Sequence, residues 1–367
     1  MRTHGFDIAR NTAVRVGAAS RLARVKSATS AFVLALAVSS ASGLCALHAS
    51  AAEPGVTAAE QSPSEWLSRM NSAFAELDYE GVFSFWSSGN MASLKVVHMA
   101  KDNVEFERLV HLNGAPREIV REGDEVLCIM QPGDKLLAMG SSIPAGPFAK
   151  AFLRDFSAVA SHYELAMKGE GRIADRPAVR MTVMPRDDHR FGYRLWLDKE
   201  TGLLLKSELM DENQQAALEV FQFNQLLMGD EVSADAAKTD HPSESVIHHL
   251  RVADDAEQAA KPTADVKWQA EWLPEGFEMA ASDLRHAPAT QQDVSTLMYS
   301  DGLAAISVFV EDFPDEGEPK MLTRKGATVS VTQLVRGPDK ARHLVTVIGE
   351  VPPKTAAQIA SNISYSK

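Results

Sequence analysis

The chain of 367 residues carries 37 Lys and Arg against 49 Asp and Glu, a formal net charge of −12 at pH 7. Residues 1–52 hold six basic residues and one acidic residue, so the remainder carries −17. A polyanion of this kind is repelled by nucleic acid and by anionic membrane faces, which argues against nucleic acid as a partner. Two cysteines, Cys45 and Cys128, are too few for a disulfide-stapled scaffold.

The N-terminal segment has the three parts of a secretory signal peptide. Four basic residues between positions 15 and 26 precede an uncharged apolar run, Ala31–Val38, and Ala49-Ser50-Ala51 follows as an A-x-A cleavage site. A lipoprotein signal is the alternative, because Cys45 follows the apolar run, but Leu44 stands where such a signal needs Gly or Ala. We therefore predict a signal peptide over 1–52 and a periplasmic protein.

A helix is predicted at the start of the mature chain. Ser62-Pro63-Ser64-Glu65 is a capping box with proline in the first turn. An apolar stripe then recurs at helical spacing from Trp66 to Leu77, so one face of this helix should pack on a sheet.

The hydrophobic period then changes from that of a helix to that of strands. Short strands separated by turn residues argue for an antiparallel meander, since parallel strands need long crossovers. A helix opened by Pro147 interrupts the series. About eleven strands should curl into a half-open antiparallel β-barrel with covering helices, over residues 62–232. The predicted strands are Val82–Trp86, Leu94–Met99, Val104–Leu112, Glu118–Arg121, Val126–Met130, Leu136–Met139, Tyr163–Met167, Ala178–Met184, Tyr193–Asp198, Leu203–Met210 and Ala217–Phe223.

A second, smaller α+β domain is predicted for residues 266–367. Residues 233–265 are rich in Ala, Asp, Glu, Lys, Ser and Pro, which indicates a linker, with a short strand around Val246–Val252 as an option. The small domain should be an antiparallel sheet covered by one C-terminal helix. Its predicted strands are Val294–Tyr299, Ala304–Glu311, Thr328–Val335 and His343–Gly349, and the predicted helix presents Ala356, Ile359, Ala360 and Ile363 on one face.

Catalytic and metal-binding motifs are not found in the sequence, so we expect neither an enzyme nor a cofactor. Gly169-Glu170-Gly171 resembles the start of a dinucleotide fingerprint, but Pro177 blocks the helix that the motif requires, and a hairpin turn is predicted instead. His248-His249 and His241 could bind a metal weakly, yet no further ligand is placed to complete a tetrahedral set. We expect a solvated histidine pair and no metal site.

One charged loop between two predicted strands is a candidate partner-binding site. Charged hairpin loops are commonly just solvated, which is the simpler interpretation. Arginines, a histidine and an exposed aromatic residue are also the types that anchor interfaces. The predicted partner-binding residues are Arg186, Asp187, His189, Arg190 and Phe191.

Aromatic and methionine side chains of the larger domain have two interpretations. They are most simply core residues, but the inner face of a half-open barrel can also hold an apolar ligand. The predicted lipid-cavity residues are Phe83, Phe85, Met130, Met139, Phe148, Phe152 and Phe156.

Several segments together resemble the MucB/RseB family of periplasmic sigma-E factor regulatory proteins. The resemblance covers the mature chain, and its segments are Trp66–Phe85, Arg194–Asp198 with Thr201-Gly202-Leu203, Trp272–Phe277, Tyr299–Leu303 and Val345–Pro353. It implies a larger domain similar to lipoprotein carriers and a smaller domain of sheet and helix.

The resemblance also implies a function. Such a protein binds the periplasmic segment of a membrane-spanning anti-sigma factor, shields it from proteolysis, and releases it when lipid or lipopolysaccharide is sensed. Homo-oligomer formation is left open. The alternative hypothesis is a periplasmic lipid or lipoprotein carrier, for which the same half-barrel would serve.

Overall fold

The computed structural model describes residues 61–101, 104–123, 125–131, 156–239, 246–251, 266–287, 292–313, 317, 319–337 and 340–366. The predicted signal peptide, the strand at Leu136–Met139 and the start of the helix at Pro147 lie outside these residues. Within the described ranges, every helix is too short or too polar to cross a bilayer.

Helix α1 (Pro63–Glu76) has the predicted capping box. The side chain of Ser62 accepts a hydrogen bond from Glu65 N, and the Glu65 carboxylate accepts one from Ser62 N. Because these two bonds satisfy backbone donors that a helix start leaves unpaired, they define where the helix begins. Trp66, Met70 and Phe74 are buried on one face, as the apolar stripe predicts.

Eleven antiparallel strands form one large sheet. Its strand order is β11-β5-β4-β3-β2-β1-β10-β9-β8-β7-β6, so β11 and β6 are the two edges. Most neighbours in the sheet are also neighbours in the chain, as expected of a meander. The strands are β1 (Tyr79–Ser87), β2 (Asn90–Lys101), β3 (Val104–His111), β4 (Arg117–Glu122), β5 (Glu125–Met130), β6 (Tyr163–Ile173), β7 (Arg176–Pro185), β8 (Gly192–Asp198), β9 (Leu204–Met210), β10 (Ala217–Met228) and β11 (Val246–Arg251).

One face of the large sheet packs on α1, and this layer contains the larger core. Phe83 of β1 and the pair Phe221 and Phe223 of β10 form an aromatic group there, with ring centroids 5.0–6.0 Å apart. Trp66 and Met70 of α1 belong to the same core. The prediction of a mainly β fold with a half-open antiparallel barrel and covering helix is confirmed. We call β1–β11 with α1 and the short helix α2 (Phe156–His162) the large domain.

The small domain is an antiparallel sheet with a helix, as predicted, but the sheet has six strands, and the two at its edges, Glu278–Ala287 and Met321–Lys325, were not among the four predicted. The sheet order is β13-β14-β15-β18-β17-β16, and α3 (Pro353–Ser361) packs on one face of it, with Ile359 among the core residues. The strands are β12 (Trp268–Ala270), β13 (Glu278–Ala287), β14 (Gln292–Ser300), β15 (Ala305–Asp312), β16 (Met321–Lys325), β17 (Thr328–Arg336), β18 (Arg342–Gly349) and β19 (Ile363–Tyr365), where β12 pairs with β19.

Two local predictions were wrong. Gly169-Glu170-Gly171 is no hairpin turn but lies inside β6, where the pairing with β7 shifts between Met167 and Glu170. Gly169 has φ +87° and so accommodates this bulge inside the strand. Ile363 is not in the C-terminal helix, because α3 ends at Ser361 and Ile363 starts β19. Its side chain still reaches the same core.

Part of the predicted linker is a strand of the large sheet. Strand β11 pairs with β5 from Val246 opposite Met130 to Arg251 opposite Glu125. His248 and His249 lie on this strand, but their side chains are outside the description, as is His241.

Candidate functional site

The loop that joins β7 to β8 holds the five predicted partner-binding residues. It begins after Pro185, and Asp187 folds it back on itself by accepting a hydrogen bond from His189 N at 2.9 Å. This local bond is an Asx turn, for which an Asp two residues upstream is well suited. Arg186 is exposed, and Asp187 and His189 are half-buried.

Arg190 is buried between the two domains, with only 1% of its surface exposed. Its Nη1 donates to Asp301 Oδ2 at 2.9 Å, its Nε to Asp187 Oδ2 at 3.2 Å, and its Nη2 to the Glu275 carbonyl. The guanidinium also lies over the ring of Phe277, 5.1 Å from its centroid. A buried charge is tolerated only when it is paired and hydrogen-bonded, and each of the three guanidinium nitrogens of Arg190 donates to an acceptor, two of them carboxylates.

Asp301 organises the small-domain side of this contact. Its Oδ2 accepts from Arg190 and also from the Tyr163 hydroxyl at 2.9 Å, while its Oδ1 accepts from the backbone N–H groups of Leu303 and Ala304. Burial, together with the charge of Asp301, raises the pKa of Tyr163 well above its ordinary value. The phenol therefore stays a neutral donor throughout the physiological pH range. We call Tyr163, Asp187, Arg190 and Asp301 the interdomain cluster.

The turn between β14 and β15 inserts into the large domain. Leu303 is buried in the same hydrophobic core as Trp66 and Phe83. Gly302 precedes it with φ +99°, and a Cβ on this residue would lie 3.2 Å from the Val159 side chain of α2. A glycine is thus favoured here both by its backbone conformation and by the close approach of the two domains.

A second pair of turns meets beside this contact. Phe191, the last residue of the loop, is buried with Leu209 and Ala327, and the guanidinium of Arg324 lies 5.6 Å from its ring centroid. Glu219 Oε1 accepts from Ala327 N at 3.1 Å and from the Ser87 hydroxyl at 3.1 Å. The β16–β17 turn of the small domain is therefore hydrogen-bonded to Glu219 of β10, which in turn is hydrogen-bonded to Ser87 of β1.

The start of α3 contacts the same loop. His189 Nδ1 lies 3.2 Å from the Thr355 hydroxyl, and its ring packs edge-on against Trp272 at 5.2 Å. Asp188 forms an ion pair with Lys354. These contacts of His189 and Asp188 with the small domain lie beside the interdomain cluster, and both side chains keep exposed surface.

The structure thus places the predicted loop in an internal contact between the domains. Arg190 and Phe191 are buried by the small domain, so their side chains could reach an external partner only if the domains separated. For Arg186, Asp187 and His189, whose side chains keep exposed surface, partner contact stays a prediction. Tyr163, Asp301 and Trp272 were not anticipated, because no local pattern indicates which residues face each other across two domains.

The predicted lipid-cavity residues are only partly described. Phe83 and Met130 are buried, and Phe85 is half-buried against the core of the large domain. Phe156 begins α2, but its side chain is outside the description, and Met139, Phe148 and Phe152 lie outside the described residues altogether. In the described part, Phe83 is a core residue, and the lipid cavity stays a prediction.

The fold consists of a half-open antiparallel barrel in contact with a smaller sheet-and-helix domain. This architecture defines a class of two-domain β proteins. Two family models match the chain in this order, the MucB/RseB N-terminal domain over residues 62–241 and the MucB/RseB C-terminal domain over residues 262–364. The chain belongs to the MucB/RseB family.

Curated relatives and solved structures agree with this assignment. The sigma factor AlgU regulatory protein MucB of Pseudomonas aeruginosa PAO1 is 36% identical over 313 residues, which is 85% of this chain and 93% of that protein. The sigma-E factor regulatory protein RseB of Escherichia coli K12 is 29% identical over 300 residues, covering 82% and 89%.

Two solved structures of MucB differ in their similarity to this chain. The complex of P. aeruginosa MucA and MucB has a TM-score of 0.67 at 34% identity, covering 83% of this chain and 99% of the matched chain. A crystal structure of MucB has a TM-score of 0.57 at 33% identity, covering 83% of this chain and 98% of the matched chain.

Proposed function

We propose that this protein is a periplasmic negative regulator of an envelope-stress sigma factor. It binds the periplasmic segment of a membrane-spanning anti-sigma factor and shields that segment from proteolysis. The observation that carries the proposal is similarity over more than four-fifths of the chain to MucB in complex with periplasmic MucA. In addition, the residues of this chain form a buried contact between its two domains. Such a contact suits a protein that binds its partner in one particular domain arrangement.

The domain arrangement described above is, in this proposal, the one that binds the partner. Its support is the TM-score, which is 0.67 with the complex of MucA and MucB and 0.57 with the crystal structure of MucB, at nearly equal identity and coverage. The interdomain cluster and Leu303 stabilise this arrangement, because separating the domains would expose an apolar side chain and break the buried pair of Arg190 and Asp301.

Release follows from linkage between two ligands. Lipid or lipopolysaccharide bound by the large domain would favour a different arrangement, so that each ligand weakens the binding of the other. The population must shift from about 99:1 in favour of the partner-binding arrangement to about 1:99. For this shift, the free energy of lipid binding must favour the other arrangement by about 5.5 kcal/mol.

The test is a titration of the mature protein with the periplasmic segment of its anti-sigma factor, with and without lipopolysaccharide, by isothermal calorimetry. We expect tight binding that weakens as lipopolysaccharide is added. If binding is tight and lipopolysaccharide leaves the affinity unchanged, the proposed release by lipid is wrong, whereas the proposed partner is correct. A protein that does not bind the segment, but retains stoichiometric acyl ligand on extraction and mass spectrometry, would instead be a carrier.

A further inference from the structure

Two carboxylates from different domains meet beside Tyr193 at the domain interface. Glu219 of β10 lies in one row with Leu209 of β9 and Tyr193 of β8. Glu350 follows β18 of the small domain, and its N–H donates to the Ala305 carbonyl at 3.4 Å. Burial raises the pKa of the Tyr193 phenol, and the negative charges of Glu350 and Glu219 raise it further, so both carboxylates lie near this ring. We call Tyr193, Glu219 and Glu350 the acidic contact.

Glu219 is held in place by residues of both domains. Its Oε1 accepts hydrogen bonds from the Ser87 hydroxyl of β1 and from Ala327 N of the β16–β17 turn, each at 3.1 Å. Gly326, which precedes Ala327, has no room for a Cβ, since that atom would collide with the Glu219 carboxylate. The small domain therefore packs directly on this carboxylate, and Glu219 cannot turn away while the hydrogen bond to Ala327 persists.

Among the described residues, no basic side chain forms an ion pair with Glu219 or Glu350. The basic residues of the turns around the acidic contact pair with other carboxylates, which are Glu212 for Arg324, Asp188 for Lys354, and Asp187 and Asp301 for Arg190. Asp301 adds its own negative charge near Tyr193. Like charges that face each other across an interface oppose association. The acidic contact is therefore unfavourable when both of its carboxylates are ionised.

A single proton removes this repulsion. Desolvation by the surrounding protein, and then the charge of Glu219, raise the pKa of Glu350 to about 7. In water the pKa of a glutamate is about 4.3. Glu350 keeps exposed surface, so its carboxyl group can exchange a proton with solvent while the domains stay together.

We propose that the acidic contact is a proton-binding site that links the docking of the two domains to pH. A proton on Glu350 favours the docked arrangement, and its loss as the pH rises favours separation. Because the docked form binds the proton more tightly than the separated form, docking is strongest below about pH 4.3 and weakens as the pH rises to about 7. In a protein that binds its partner in the docked arrangement, mild acid would favour the complex; this consequence alone rests on the proposed function.

The first experiment measures the urea midpoint of the mature protein by tryptophan fluorescence from pH 8 to pH 5. Glu350→Gln is neutral at every pH. Its midpoint should exceed that of wild type at pH 8, where the wild type holds an ionised carboxylate beside Glu219, and this gap should narrow as the pH falls. The matched control is Glu278→Gln, which changes an exposed glutamate of the same domain at the start of β13 and should show a constant gap.

Other groups of the protein also affect stability in this pH range. Burial raises the pKa of Glu107 and lowers that of His111. Both residues are present in the wild type and in Glu350→Gln, so their contributions cancel in the difference between the two midpoints. A difference that stays the same from pH 8 to pH 5 would overturn the proton-binding site.

The second experiment tests whether the proton is bound between the domains. The pKa of Glu350 is read from the carboxyl ¹³C shift, whose signal is assigned by its absence from Glu350→Gln. We expect a value well above about 4.3 in the wild type. In Glu219→Gln the value should be lower, because the amide removes the opposing charge but its oxygen can still accept from Ala327 N. Equal values in the two proteins would overturn the contact between the two carboxylates.

Both experiments use the protein without its partner. A protein that shows the proton linkage but does not bind the anti-sigma segment would overturn the proposed function and leave this inference standing. A protein that binds the segment but shows no proton linkage would overturn this inference alone.

Discussion

The guanidinium of Arg190 lies out of water with two carboxylates, a carbonyl and two aromatic rings around it. Replacing only the arginine would leave Asp301 buried without its counter-charge, a loss that typically costs 3–5 kcal/mol. Nearby, Gly276 has φ +84° and lies against the imidazole of His162. These single residues, each unremarkable in the sequence, hold the two domains at close approach.

Gly276→Ala should destabilise the protein more than Gly114→Ala. Both glycines have a positive φ, +84° and +77°, so both changes strain the backbone. Only at Gly276 would the new Cβ collide with His162, whereas nothing lies within 4 Å of it at Gly114. The measurement is the urea midpoint by tryptophan fluorescence. Equal losses in the two variants would mean that the contact with His162 contributes little.

At the scale of elements, the β8–β9 hairpin depends on one buried carboxylate. Asp198 accepts from the N–H groups of Glu200 and Thr201 and from Arg176 Nε at 2.6 Å. Burial by itself would raise the pKa of Asp198, but the hydrogen bonds from Arg176 and Thr201 outweigh it and hold the pKa below its ordinary value. The ionised side chain therefore stabilises the turn Lys199-Glu200-Thr201-Gly202 between β8 and β9.

This carboxylate should make the fold sensitive to acid. Because its folded pKa is lower than its unfolded pKa, about 3.9, its contribution is present above pH 3.9 and is lost as the pH falls through the folded pKa. Asp198→Asn should thus lower the urea midpoint at pH 7, and the gap to wild type should narrow below pH 4. A gap that stays constant from pH 7 to pH 3 would show that ionisation of Asp198 is not involved.

At the scale of the whole molecule, the two sheets share a core residue. Leu303 comes from the small domain but is buried in the core of the large one. Conversely, Tyr163 and Arg190 of the large domain donate hydrogen bonds to Asp301 of the small domain. Domains that share buried contacts of this kind unfold together, since neither can open without exposing apolar surface of the other. The arrangement of the domains is therefore part of the fold and not the result of the linker.

Leu303→Asp should split thermal unfolding into two transitions. The wild type should unfold in one calorimetric transition, whereas an aspartate at this position places a charge in the core of the large domain and disfavours docking. Leu322→Asp is the control, since this leucine of the small domain is 55% exposed. Two transitions in the wild type, or a single one in Leu303→Asp, would contradict the shared core.

The sequence by itself determined most of the elements and the class of fold. The capping box at Ser62, the apolar stripe of α1 and the alternation of the strands act over a few residues, so they are legible without knowledge of the rest of the chain. It also carried the family resemblance, which the family models confirm for both parts of the chain.

Only the tertiary structure decided which side chains meet. Arg190 and Asp301 are 111 positions apart, and of the five predicted partner-binding residues only Arg190 and Phe191 are buried. Likewise, the alternation of β14, β15, β17 and β18 predicts two faces but not that α3 covers just one of them. Periodicity reports the direction of a side chain, whereas its burial depends on what the remaining chain brings against it.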